Sequence, residues 1–399
     1  MRREEQGLEA ILWAARRIIR YRKGHEPVGR VQDALDALGF ETRTGLKPLL
    51  CHEHKTDYGW HLVWHLPPGI SSREIVQKAH YFKEQAGGEI EFRLLGQKLH
   101  MDLCLTPLPK NVPYERKPQG YPGMKLPVPL GVTQQGPLVV EIADKPHVLI
   151  GGNTGCGKTT LLRHLVVSLL LAGAQVIVVD LKGGLDFACF RRHCTLITDT
   201  QGAVEMMDAL YGETKRRIPV LEKAMVTSLV EYPGDDLPFI VFVIDELARL
   251  DGREAQQKLN RLVSLSRSTG IAVVAATQRP SASLFQSTQF SNTRMLFAGR
   301  LSFWVPKPED SRMVLEDEAA ADLPADIPGR AIWQWDRQRQ VQCYNLSLQG
   351  ARDLLETIPE GRGLFGEHRG KRLPPRPEDI AAPGPLGGAH YRAGEAPVL

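Results

Sequence analysis

The sequence predicts an α/β fold: a mainly parallel sheet covered by helices on both faces, preceded by a small α+β domain. Two observations carry that prediction. Between residues 138 and 347, short runs rich in Val and Ile alternate with helical segments: HVLIG, LLRHLVVSLLL, VIVVDL, TLIT, a long helix near 203–229, FIVFVID, a helix through 259–265 and IAVVAAT. Strands that are apolar at every position are buried on both faces, and the intervening helices supply both covers. Upstream, prolines recur at short intervals over residues 106–129 (TPLPKNVPYERKPQGYPGMKLPVP). Such a stretch continues neither a helix nor a central strand, so a domain boundary falls here.

The composition agrees. The chain has 399 residues, 42% hydrophobic and 24% charged, with 37 Gly and 28 Pro, which describes a globular chain with Pro/Gly-rich connections and excludes collagen, coiled coil and disorder throughout. The longest uncharged apolar stretch, LVVSLLLAGA at 165–174, is half of the roughly 20 residues that a bilayer-spanning helix needs. The opening MRREEQGLEA has no basic region followed by an apolar core, so no secretory signal is expected and the chain reads as cytoplasmic. Cys51, Cys104, Cys156, Cys189, Cys194 and Cys343 occur singly, as reduced thiols do. Cys189, His193 and Cys194 are close in sequence, as are His52, His54, His61 and His65, but neither set has a matching half-site for zinc. The net charge of +4, from 50 basic and 46 acidic residues, does not by itself indicate a nucleic-acid partner.

Five segments are expected. Residues 1–45 form an N-terminal helical segment, with LEAILWAARRIIRYR at 8–22 and a second amphipathic helix from Val31; the arginines of the first are either a solvated face or contacts to phosphates or lipid headgroups. Residues 46–110 form a β-α-β-β module built from GWHLVWHL, a helix at 72–85, EIEFRLL and KLHMDLCL. Residues 111–130 are a Pro-rich linker, 131–350 the large α/β domain, and 351–399 a short helix with a flexible tail containing KRLPPRPEDIAAPGPLGG.

The large domain contains GNTGCGKT at 152–159, between an apolar strand and an apolar helix. This is a complete G-x-x-x-x-G-K-[ST] loop in the context that a phosphate-binding loop requires. Gly152, Asn153, Thr154, Gly155, Cys156, Gly157, Lys158, Thr159 and Thr160 are the expected nucleotide-binding residues. Gly155 and Gly157 let backbone N–H groups curl around phosphate, and the following helix presents its positive end to the anion. Lys158 would bridge the β- and γ-phosphates, and Thr159 would offer its hydroxyl to Mg²⁺. Cys156 reads as a permissive position without a redox role.

FIVFVIDE supplies the second half. Asp245 at a strand's carboxyl end suits the Mg²⁺ shell, and Glu246 directly after it suits polarisation of an attacking water. With no N-K-x-D motif present, the pair favours a hydrolysing ATPase over a GTPase switch. The extra strand VIVVDLK between the two motifs fits a fold in which the Mg²⁺ strand is not the immediate neighbour of the phosphate-loop strand. Gln278, after IAVVAAT, stands where a γ-phosphate sensor or a plain strand cap would stand. Asp180, Lys182 and Asp186 divide between turn chemistry and nucleotide coupling.

These residues resemble the FtsK/SpoIIIE family of ring-shaped DNA translocases, within the group that also includes conjugative coupling proteins and type VII secretion ATPases. Besides the two motifs, the resemblance rests on VVDLKGG, SRSTGIAVVAATQRPSAS from Ser266, NTR ending in Arg294, DSRMVL and PGRAIW, all within residues 127–347. It implies a P-loop NTPase domain of RecA-like type, a homo-oligomer that is a hexamer, ATP and Mg²⁺ as cofactors, and double-stranded DNA as substrate. It also implies an arginine that reaches a neighbouring subunit's γ-phosphate. Arg216 and Arg217, in GETKRRIPVLEK, match the family's paired arginines, and Arg294 is the second candidate. Glu246, Lys158, Gln278, Arg216, Arg217 and Arg294 are thus the expected catalytic set, with Thr159 and Asp245 for the metal. The membrane segment and winged-helix domain of chromosome-segregating members have no room here. A motor of a plasmid or integrative element is the expectation, acting in transfer or partition, with a relaxase or membrane channel as partner and recruitment to the membrane through it. The competing readings are a protein-export ATPase of the type VII kind and an ATP-gated DNA-binding adaptor.

Overall fold

The computed structural model describes residues 26–96, 98–116, 120–250, 252–278, 294–361, 363 and 365. The helix expected at 8–22, QRPSAS beyond Gln278, the first two residues of NTR and the tail from 366 lie outside the described residues. The chain divides into two compact units at Leu108/Pro109, with Gln134–Gly136 counted with the first.

The first unit begins with α1 (Glu26–Ala37), whose buried Val28, Val31, Ala34 and Leu35 join one core with Leu62, Trp64, Ile75 and Phe82. This helix starts before Val31 and belongs to the small domain rather than to a separate segment. Strands β1 (Leu49–Thr56) and β2 (Gly59–His65) form a hairpin, followed by α2 (Ser72–Gln77), α3 (Ala79–Ala86), β3 (Glu89–Leu95) and β4 (Lys98–Cys104). The antiparallel order is β1-β2-β4-β3. The expected β-α-β-β pattern therefore lacks a strand. LLCHEHKT has no apolar alternation because β1 is an edge strand, largely exposed along its length. The helix expected at 72–85 is broken at Lys78.

The second unit contains β5 (Val112–Pro113), β6 (Pro127–Thr133), β7 (Gly136–Glu141), β8 (His147–Gly151), α4 (Lys158–Leu171), β9 (Gln175–Val179), β10 (Thr195–Ile197), α5 (Thr200–Lys223), β11 (Ile240–Ile244), α6 (Arg253–Leu265), β12 (Ile271–Thr277), β13 (Gly299–Phe303), α7 (Pro308–Leu315), β14 (Arg330–Gln334), β15 (Gln338–Asn345) and α8 (Leu348–Leu355). The sheet runs β10-β9-β11-β12-β8-β13-β14-β15-β6-β7, with β5 beside β15. From β10 to β13 every pair is parallel; from β13 to β6 every pair is antiparallel. The mainly parallel sheet thus carries an antiparallel wing that the sequence does not announce. Residues 111–130 are not only a linker: they contain β5 and the start of β6. Pro127 and Pro129 lie outside the Gly131–Val132 stretch where β6 pairs with β15, so that pairing requires no proline N–H.

All five residues of β8, β9 and β11 are buried. Along β11, Val241 and Val243 enter the core under α4, while Ile240, Phe242 and Ile244 enter the core under α5 and α6. Burial on both faces is what their uninterrupted apolar sequences require.

Candidate nucleotide-binding and hydrolysis site

Strand register sets the site. Val179 pairs with Ile244, Ile244 with Ala275, and Thr277 with Gly151. The chain segments leaving β9, β11, β12 and β8 therefore emerge at one edge, carrying Asp180, Asp245–Glu246, Gln278 and the phosphate loop, as expected at the carboxyl ends of parallel strands. In space it is β12, not β9, that separates β8 from β11.

The phosphate loop leads from β8 into α4. A Cβ on Gly152 would lie 2.6 Å from the Phe303 Cβ and 2.9 Å from the Cys156 Sγ, at φ +147. Only glycine fits. Gly155 has φ +80 and open space around it, leaving its backbone approachable by a ligand. Lys158 is buried and folded back on the loop, donating to the Gly152 carbonyl and to the Asn153 carbonyl at 2.8 Å. Burial pushes its ammonium below the ordinary lysine range, so an anionic ligand would be a better partner than two carbonyls. Cys156 is more than permissive. Its Sγ fills the space that glycine leaves at 152, and its carbonyl accepts from the Gly329 N–H at 2.8 Å. Burial raises its thiol pKa, which keeps it unreactive. Asn153, Thr154, Gly157, Thr159 and Thr160 line the loop and the first turn of α4.

The acids differ in their partners. Asp245 is 2% exposed and is held by the Lys182 Nζ at 2.7 Å. Burial raises its carboxyl pKa, opposed by Lys182. Glu246 accepts from the Thr277 Oγ1 at 3.0 Å and from the Gln278 N–H at 3.1 Å. The Gln278 Oε1 in turn accepts from the Thr154 hydroxyl at 3.1 Å. Gln278 thus joins the phosphate loop to Glu246. Thr277 is a site residue that the sequence reading missed; its only signal was a hydroxyl at the end of an otherwise apolar strand. Asp180 is fully buried, with its Oδ2 lacking a hydrogen-bond partner among the described residues. The carboxylates of Asp180 and Asp245 and the Thr159 hydroxyl are hard oxygen donors, a set that fits Mg²⁺.

The arginines lie elsewhere. Arg217 is wholly buried on α5 and donates to Glu213 at 2.8 Å and to the Thr269 carbonyl at 2.9 Å, just before β12 begins. Its guanidinium is wholly buried in the single chain, at the opposite end of the strands from that chain's own phosphate loop. A Lys-Arg-Arg run looks solvated in sequence, and only the packing of α5 shows otherwise. Arg216 is 39% exposed and held bidentately by Glu213 at 2.7 Å. Arg294 donates to the Arg312 and Met313 carbonyls in the last turns of α7. None of the three touches the phosphate loop in its own chain.

Residues 114–236 match the family model described as FtsK/SpoIIIE family. Curated relatives include DNA translocase FtsK of Chlorobaculum tepidum, 28% identical over 271 residues, covering 61% of this chain and 33% of that protein. DNA translocase FtsK of Treponema pallidum is 32% identical over 222 residues, covering 50% and 27%. The chain spans a third or less of the length of these two relatives. Among solved structures, the pCW3 conjugation coupling protein TcpA, in monomer form with ATPγS, has 22% identity and a TM-score of 0.58, covering 83% of this chain and 99% of that one. The cytoplasmic domain of the type VII secretion ATPase EccC of Thermomonospora curvata has 24% identity and a TM-score of 0.52, covering 64% and 33%. Both likenesses establish the fold. Among the described residues, no helix is long and apolar enough to cross a membrane.

Proposed function

Because the chain carries an FtsK/SpoIIIE-family domain, we propose that it is an ATP-hydrolysing motor that moves along double-stranded DNA as a homo-oligomeric ring, a hexamer. The DNA is that of a mobile element or plasmid, handled during transfer or partition with a relaxase or membrane channel as partner. The motor itself works in the cytoplasm and reaches the membrane through that partner. The observation that carries the reading is the line of hydrogen bonds from Thr154 through Gln278 to Glu246, which couples a phosphate loop to a carboxylate placed to act on water.

In this mechanism Lys158 leaves the Gly152 and Asn153 carbonyls for the phosphates and neutralises charge that grows on the γ-phosphoryl group. Glu246 accepts a proton from water as the water oxygen bonds to the γ-phosphorus and the bond to the leaving ADP oxygen breaks. The Thr277 hydroxyl and the Gln278 N–H hold that carboxylate in orientation. Mg²⁺, held by Thr159 and Asp245, would supply charge stabilisation on the phosphate oxygens. Gln278 exchanges its bond to Thr154 when the γ-phosphate is present, so the state of the nucleotide reaches the segment that follows β12. Arg216, the exposed member of the pair, serves the next subunit's phosphate and is the one amino-end charge that exchanges its partner, leaving Arg217 on Glu213. Movement along any sequence requires grip on a feature that every step repeats, which in DNA is the phosphate backbone.

The test is ATP-dependent displacement of a third strand from a triplex, on unrelated duplex sequences at low salt. Displacement on every sequence supports the translocase. Tight binding without displacement supports the adaptor, and hydrolysis stimulated by a secreted peptide but not by DNA transfers the assignment to protein export.

A further inference from the structure

Asp180 and Asp245 follow adjacent parallel strands, in register one position after the Val179–Ile244 pair, so two buried carboxylates arrive side by side. Among the described residues Lys182 is the ammonium that bonds Asp245 directly, while Lys158 acts on it from farther away. The Asp180 Oδ1 accepts the Lys182 N–H at 3.0 Å, which turns the chain and sends the Lys182 side chain across to Asp245. The other Asp180 oxygen is buried without a hydrogen-bond partner among the described residues. Beyond Lys182 the chain passes Gly183 and Gly184, with φ of +100 and +75, and Asp186 is paired with Arg163 of α4, the helix that begins at the phosphate loop. Two carboxylates taken out of water with a single directly bonded counter-charge are poorly compensated, and Lys182, 24% exposed, keeps a path to solvent.

Resting on the nucleotide-site reading above, we infer that Lys182 is the resident counter-ion of the divalent-cation site, neutralising Asp245 until a metal–nucleotide complex arrives and then leaving. An ammonium and a divalent cation on the same carboxylate repel strongly at such short range. The lysine is the one that yields, because its charge sits on a flexible stem and hydrates well. Its departure frees the 181–186 loop, pivoting at the glycine pair, whose far end is tied through Asp186–Arg163 to α4. Loading is thereby reported to the 181–186 loop, which lies outside the phosphate loop. A lysine that instead bonded the nucleotide directly would have the opposite effect on affinity.

The test uses the full chain with Lys182→Met, comparing thermal melting and binding of ATPγS with Mg²⁺ and with chelator. In metal-free buffer the variant melts below wild type, since Asp245 has lost its partner. Excess Mg²⁺ alone raises its melting temperature by more than it raises that of wild type. Affinity for Mg²⁺–ATPγS rises roughly tenfold, while affinity for ATPγS under chelator is unchanged. Lys182→Arg, which keeps the charge, restores metal-free melting and shows no gain in affinity. Weaker Mg²⁺–ATPγS binding by Lys182→Met, or an Mg²⁺ response no larger than that of wild type, overturns the inference; so does a variant that fails to fold and that Mg²⁺ does not recover. If wild type itself gains no stability from ATPγS with Mg²⁺, it is the nucleotide-site reading that fails.

Discussion

The two ends of the parallel strands treat buried charge in different ways. At the carboxyl end, among the described residues, Lys158 rests on two loop carbonyls, Asp245 is ion-paired with Lys182 and Asp180 keeps one oxygen without a hydrogen bond. At the amino end, Glu213 receives both Arg216 and Arg217, and Arg217 also donates to the Thr269 carbonyl. Burial alone would raise the Glu213 carboxyl; the two arginines outweigh it and hold the group below the ordinary range. His147, at the start of β8, accepts the Val273 N–H. At the amino end Arg217 is locked between Glu213 and the Thr269 carbonyl, although its Nη2 and the His147 Nε2 also lack partners among the described residues; at the carboxyl end the charged groups rest on partners that a ligand can replace. The first arrangement holds a fold together; the second leaves room for a ligand.

That contrast predicts opposite outcomes for substitutions of similar chemistry. Glu246→Gln keeps the shape of the site but removes the proton acceptor, so hydrolysis falls by about 10²–10⁴-fold, ATP stays bound and melting is unchanged. Lys158→Ala also abolishes hydrolysis without loss of fold, because no core contact is lost. At the other end, Glu213→Ala strands a buried guanidinium and costs about 3–5 kcal/mol of stability in denaturant melts. Equal destabilisation by Lys158→Ala and Glu213→Ala would break the comparison.

Smaller effects sharpen it. Burial and the nearby Arg267 push the His147 pKa down to about 4. Below the ordinary pKa of about 6.5, the unfolded chain takes up a proton that the folded chain refuses. Stability is therefore lost as pH falls from about 6.5 toward 4, by up to about 3 kcal/mol. His164, also pushed down to about 4 by burial, adds a similar slope, so His147→Gln removes only part of the loss in melts at pH 7 and pH 5. The smallest signal is in mixing. Arg216→Ala combined with Lys158→Ala restores partial hydrolysis, since some interfaces then pair an intact arginine with an intact loop. No recovery in confirmed mixed rings removes Arg216 from that role.

The carboxyl end was legible in sequence because its chemistry is local: GNTGCGKT and the FIVFVIDE strand each carry their meaning within eight residues. What escaped depends on distant partners. Arg217 is defined by Thr269, 52 residues away, and the role of Lys182 by Asp245, 63 residues away. The wing strands RAIWQ and QRQVQCYN mix polar with apolar residues, so they lack the continuous Val/Ile runs that marked the parallel strands. LLCHEHKT was hidden for the related reason that an edge strand need not be apolar.

The most direct test of the account is the rate of ATP hydrolysis with and without duplex DNA, on unrelated sequences and across a salt series. The account predicts that every duplex stimulates hydrolysis. It also predicts that half-stimulation shifts to higher DNA concentration as salt rises, with a log–log binding slope of about −0.9 per neutralised phosphate. A rate indifferent to duplex DNA at every salt concentration would contradict it.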